Sequence, residues 1–165
     1  MIGPGSSSES WPVWRGPNGN GTSSEKGLLR KFPSGKPKQL WTAQIGEGWS
    51  TIAVADGKAF VSGNVAGTDT IAALNAKTGK LIWKYSYPCS PGDYGGPRAT
   101  PCVVGGVVYS VSREGVVYAL GADTGKLVWQ RAVAAETRCP IPTWGFAGST
   151  LVDGNRVYVN IGVTG

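Results

Sequence analysis

Residues 71–85 read IAALNAKTGKLIWKY and residues 117–131 read VYALGADTGKLVWQR. At an offset of 46, eight of these fifteen positions are identical: Ala73/Ala119, Leu74/Leu120, Ala76/Ala122, Thr78/Thr124, Gly79/Gly125, Lys80/Lys126, Leu81/Leu127 and Trp83/Trp129. So dense a match marks an internal repeat. Each copy reads as a strand, a tight turn and a second strand. Gly79 and Gly125 are expected to take the left-handed position of the turn. Trp83 and Trp129 then fall at the same point of each outer strand, where a buried indole would fill the gap between adjacent sheets.

A second marker precedes each copy. IAVADGKAFVSG, TPCVVGGVVYSVS and STLVDGNRVYVNIG each read as strand, Gly-centred turn, strand, with Gly57, Gly106 and Gly154 spaced by 49 and 48 residues. Asp-Gly and Gly-Gly steps supply the positive φ of tight hairpins, and the flanks are β-branched and aromatic. The unit is therefore a four-stranded antiparallel meander. Four strands in a repeat of about 40–50 residues define a β-propeller blade. Helical solenoids of similar period need amphipathic helices, and no window here shows sustained helical spacing.

The expected fold is all-β, a β-propeller of four-stranded antiparallel blades. Residues 1–10 have little to bury and read as a disordered tail. Residues 11–37, opening WPVWRGPNGNG, read as an N-terminal arm and loop. Residues 38–165 hold the blades, at about 38–87, 95–133 and a truncated 143–165. At a period of 46 this is about 2.8 blades. A closed ring of six to eight blades needs roughly 270–360 residues. An incomplete ring exposes a strand edge and apolar sheet faces. The expected partners are further blades, another chain, or copies of this one that close the ring.

Composition agrees and excludes much chemistry. Glycine and proline, 26 and 11 of 165 residues, suit short strands and turns, and charged residues are only 16%. The absence of histidine removes Ser-His-Asp and Cys-His catalysis and His-ligated zinc. No 18-residue apolar run reads as a membrane span. The net charge of +6 is scattered rather than striped, which argues against nucleic-acid binding. Ser23 and Lys26 match a serine–lysine spacing with no partner motif around it. No metal-ligating or catalytic set emerges.

The links between blades carry the remaining candidates. Cys89 and Cys139 follow Trp83 and Trp129 by six and ten residues, on similar links of adjacent blades. A disulfide between them would suit an oxidising compartment. The alternative is that all three cysteines, Cys102 included, are reduced and buried. Tyr94, Arg98, Arg138 and Trp144 lie on the same links. They read either as an aromatic and basic rim for a ligand or extended peptide, or as packing against neighbouring blades. Trp49, ahead of the first blade, recurs in a similar place, and that recurrence favours the packing reading.

The A-L-x-A-x-T-G-K-x-x-W stretches at 73–83 and 119–129 resemble the quinoprotein-type propeller repeat over about residues 38–165. WPVWRGPNGNG at 11–21 resembles the start of secreted bacterial propellers of this type. The resemblance implies that Gly79, Trp83, Gly125 and Trp129 lock blades together. It implies a periplasmic, extracellular or cell-surface location. It also implies one of two functional classes: dehydrogenases holding pyrroloquinoline quinone and calcium, or non-enzymatic propellers such as an outer-membrane assembly lipoprotein. In the dehydrogenases a vicinal cysteine pair precedes the quinone-contacting arginine. Here Cys89 stands alone, and Arg98 falls where that cofactor-binding arginine would lie. The calcium-ligating glutamate is absent from residues 160–165, and no catalytic base is present. The leading expectation is a non-enzymatic binding or scaffolding module with no cofactor. The alternatives are a fragment of a quinone-dependent alcohol dehydrogenase, or a structural subunit of a larger complex.

Overall fold

A computed structural model describes residues 10–162. The tail expected over residues 1–10 and the end of the third blade therefore fall largely outside the described residues. The first blade is β1 (Ala53–Ala55), β2 (Lys58–Val65), β3 (Thr68–Asn75) and β4 (Leu81–Pro88), hydrogen-bonded in that order and antiparallel throughout. The second is β5 (Cys102–Val104), β6 (Val107–Val111), β7 (Val116–Gly121) and β8 (Leu127–Ala132), in the same order. One helical turn, α1 (Val133–Glu136), leads to a two-stranded hairpin, β9 (Leu151–Asp153) with β10 (Arg156–Tyr158). These are two full blades and the opening hairpin of a third. The ring they form is open.

The inner hairpins repeat at 49 residues. Ala53 pairs with Phe60, Cys102 with Tyr109 and Leu151 with Tyr158. The first turn residue is left-handed in all three, with φ of 48° at Asp56, 58° at Gly105 and 57° at Gly154. Gly154 thus occupies the place of Asp56 and Gly105, one position from the alignment with Gly57 and Gly106 expected from sequence. The outer strands repeat at 46 because the β6–β7 hairpin is three residues shorter. Phe60 pairs with Ala73, thirteen residues on, whereas Tyr109 pairs with Ala119, ten residues on.

Alternation sets the core. Phe60, Ile71, Ala73 and Trp83 of the first sheet face Val108, Tyr118 and Leu120 of the second. Tyr87 and Tyr118 stack with ring centroids 4.2 Å apart. A second cluster joins Val111, Val117 and Ala99 to Ala134, Cys139 and Phe146, beneath the links that lead to the third hairpin.

The blades are locked head to tail. Trp83 is 8% exposed, and its indole N–H donates to Ala122 O at 2.9 Å, on the β7–β8 turn of the next blade. A Cβ placed on Gly125 would stand 2.6 Å from Trp83 Cδ2. Trp41 makes the same contact one blade earlier. Its N–H donates to Ala76 O at 3.0 Å, and a Cβ on Gly79 would lie 2.6 Å from its Cδ2. The lock therefore pairs Trp83 with Gly125 and Trp41 with Gly79, so each tryptophan serves the following blade's glycine and not the one in its own turn. Residues 38–52, expected to open the first blade, form no strand of it. They carry Trp41 to this lock and then cross to β1, touching the sheet through the bridge Glu47–Asn64. Trp129, expected to be buried between blades, is only half-covered, against Tyr109 and the second cluster.

A ladder of hydroxyls ahead of the inner strands links the blades at the 49-residue spacing. The Thr51 N–H donates to Thr100 Oγ1 at 3.2 Å, and the Thr100 N–H donates to Ser149 Oγ at 2.9 Å. The arm closes the free inner edges. Trp11 exchanges both backbone hydrogen bonds with Val54, and Val103 N–H donates to Pro12 O at 2.8 Å. Val54 and Val103 are equivalent positions, so two consecutive arm residues cover the same edge in adjacent blades.

Candidate functional site

The links meet on one face. Trp49 N–H donates to Pro97 O at 2.8 Å, which brings the approach to the first blade against the link to the second. Gly96 makes this approach possible: its φ is +81°, and a Cβ there would collide with the Glu47 carbonyl. Arg98 is half-buried. Its guanidinium donates to Gly96 O at 3.4 Å and to Tyr94 O at 3.2 Å, curling the link around the side chain. The link to the third hairpin is held by Arg113 of the β6–β7 turn. Its Nη2 donates to Thr143 O at 3.1 Å, and its carbonyl accepts from Phe146 N–H at 3.0 Å.

These contacts set Trp144 beside Tyr94, edge to face, with centroids 5.9 Å apart and planes at 80°. Trp49, Tyr94, Arg98 and Trp144 line a cleft of about 370 Å³. The three aromatic residues are 65%, 54% and 61% exposed in the order Trp49, Tyr94, Trp144. Three of the four link residues expected as a rim thus come together. Arg138, exposed just after α1, does not line the cleft. Trp49 completes it; its recurrence near the opening of a blade points from sequence to packing between blades, whereas its indole stands largely exposed in the cleft.

A buried polar cluster lies in the first blade near its link. Asn64 Nδ2 donates to Asp69 Oδ1 at 2.6 Å and to Cys89 O at 3.0 Å, while its Oδ1 accepts from Gly67 N–H at 3.1 Å. Asp69 is 1% exposed. Burial raises its pKa above the ordinary 3.8, partly opposed by the hydrogen bond from Asn64. Burial, then the Asp69 charge, pushes the Cys89 thiol up to about 12. In the window between 3.8 and the raised value, the unfolded chain has lost a proton that the native state keeps. Stability therefore falls as pH rises through that window. Asp69→Asn is expected to flatten this slope. Urea midpoints from about pH 4 to about pH 7 check it, and an unchanged slope assigns it to another group.

The expected Cys89–Cys139 disulfide is not formed. All three cysteines are free and buried. Cys89 turns into the core between the first and second blades, whereas Cys139 turns into the second cluster. Each link folds its thiol under its own blade interface, so the sulfurs do not meet.

The cleft offers one guanidinium and no carboxylate. Among the described residues no group of three His, Cys, Asp or Glu side chains is placed to hold a metal ion. Cys89 is buried without a cysteine neighbour in sequence, and residues 160–165 contain no glutamate.

Four-stranded antiparallel blades locked by tryptophans define a β-propeller of the quinoprotein-like class. The chain belongs to the family described as outer membrane protein assembly factor BamB, whose pattern matches residues 25–161. Among solved structures, the chain is similar to the quinohemoprotein alcohol dehydrogenase from Comamonas testosteroni. Identity is 23% and the TM-score 0.56, over 72% of this chain and 18% of that one. It is also similar to quinohemoprotein alcohol dehydrogenase ADHIIG from Pseudomonas putida HK5, with 24% identity and a TM-score of 0.53, over 73% and 18%. BamB from Moraxella catarrhalis matches at 20% identity and a TM-score of 0.45, over 69% and 29%. The chain spans less than a third of the length of any of these structures. No curated protein matches it. Among the described residues no helix is long and apolar enough to cross a membrane.

Proposed function

We propose that this chain is a non-catalytic propeller module of the cell envelope that holds a partner on its link face, as part of a larger protein or assembly. The cleft of Trp49, Tyr94, Arg98 and Trp144 carries this reading. Its rings are held by the backbone of the links and stand open to solvent rather than filling a blade interface. A rigid sheet scaffold presenting loops is the usual arrangement for recognition. Membership in a family named for outer-membrane protein assembly supports both the envelope location and a protein partner.

The competing reading is a piece of a quinone-dependent dehydrogenase. Titration of the chain with pyrroloquinoline quinone and calcium, followed by tryptophan fluorescence, separates the two. The module reading expects no saturable quenching. Saturable quenching that disappears when calcium is chelated would establish the dehydrogenase reading instead.

A further inference from the structure

Building on the module reading, we infer that the link-face cleft takes an extended, proline-rich peptide segment that carries an acidic residue. The walls are three aromatic rings and one guanidinium, with no carboxylate among them. Tyr94 and Trp144 stand at 80° to each other. Two rings at that angle make a corner for a compact, non-planar ring, where parallel plates would sandwich a flat one. A pyrrolidine fits such a corner.

Two backbone donors at the cleft are already engaged: Trp49 N–H by Pro97 O, and Phe146 N–H behind Trp144 by Arg113 O. The exposed rings and the guanidinium are the contacts the cleft offers a peptide's side chains. A polyproline II segment is suited to this. It makes no internal hydrogen bonds, is already extended, and is known to dock in aromatic-lined grooves with little ordering entropy left to lose.

Arg98 sets the charge of the occupant. A guanidinium has five N–H donors. Arg98 uses two contacts on backbone carbonyls of its own link, and no ion pair among the described residues includes it. Its remaining donors suit a carboxylate, which a planar guanidinium engages with two parallel bonds. The chain's net charge of +6 steers an acidic segment in the same direction.

The test is titration of the full chain with a synthetic peptide of repeated Pro-Pro-Glu, read by tryptophan fluorescence. Two control peptides replace every Glu with Lys or every Pro with Ser. Saturable binding to the first is expected, with each control roughly tenfold weaker. Trp144→Ala should weaken binding of the first peptide by about tenfold, and Tyr94→Ala similarly. Arg98→Glu should reverse the preference in favour of the lysine peptide. Both aromatic positions are open to solvent, so the thermal unfolding curve should hold while affinity drops. Equal binding of all three peptides overturns the inference, as does affinity unchanged in all three variants. Binding of an acidic glycan such as oligogalacturonate in place of the peptide overturns it too. Failure with all peptides and no calcium-dependent quinone binding removes the peptide assignment alone. Quinone binding abolished by Arg98→Glu removes the module reading with it.

Discussion

Trp83→Ala is expected to lower the free energy of unfolding by about 3–5 kcal/mol, among the largest losses any single truncation in this chain can produce. The indole sits at the junction of two blades, nearly sealed from solvent, and its N–H is satisfied by Ala122 O. Truncation removes the ring from between Phe60 and the following blade's turn and leaves a cavity that two twisted sheets cannot close over. It also strands the Ala122 carbonyl at a buried site. The matched truncation Trp129→Ala should cost only about 1–2 kcal/mol, because that indole is half in solvent and loses less apolar contact. Chemical denaturation of both variants checks the pair. Equal losses would mean that the outer-strand tryptophan contributes through its own sheet, independent of the next blade.

Gly125→Ala should cost about 3 kcal/mol. Two terms add. The residue sits at φ +66°, where an L side chain pays roughly 1–2 kcal/mol of local strain. The new Cβ would also stand 2.6 Å from Trp83 Cδ2, so the indole must leave its seat or the turn must shift. The second term vanishes once the indole is gone. In a double-mutant cycle the pair Trp83→Ala and Gly125→Ala should therefore be less damaging than the sum, by more than about 1 kcal/mol. Strict additivity would show that Gly125 is required by its backbone alone.

The repeat made the architecture legible. Eight shared positions at an offset of 46 located β3, β4, β7 and β8, because each pair of strands turns through a required glycine. The direction of the lock was not legible. Gly79 and Trp83 are neighbours in sequence, and nothing in one strand says that its indole belongs to the next turn. Trp41 was missed for the same reason, since it lacks the Thr-Gly before it. Its signal was Lys38-Gln39-Leu40-Trp41, the Lys-x-apolar-Trp pattern of residues 80–83 and 126–129. The hydroxyl ladder was hidden because inner strands repeat at 49 and outer strands at 46, so an alignment on one set slides the other out of phase. At the cleft, Tyr94, Arg98 and Trp144 were legible as link residues. Their openness to solvent was not, because it depends on how far Arg113 and Gly96 draw the links together. The failed Cys89–Cys139 pairing has a similar origin, since link position fixes neither the direction of a thiol nor the sheet that covers it.

The head-to-tail lock has a consequence for ancestry. The two junctions that the described residues contain, Trp41 with Gly79 and Trp83 with Gly125, are chemically the same. Duplicating or deleting a whole unit leaves no orphaned half-lock inside the array, and the stability of the remaining junctions is nearly untouched. Blade number can then drift by unequal recombination without passing through an unfoldable intermediate. The links, which take no part in the Trp83–Gly125 contact, are free to diverge from one unit to the next.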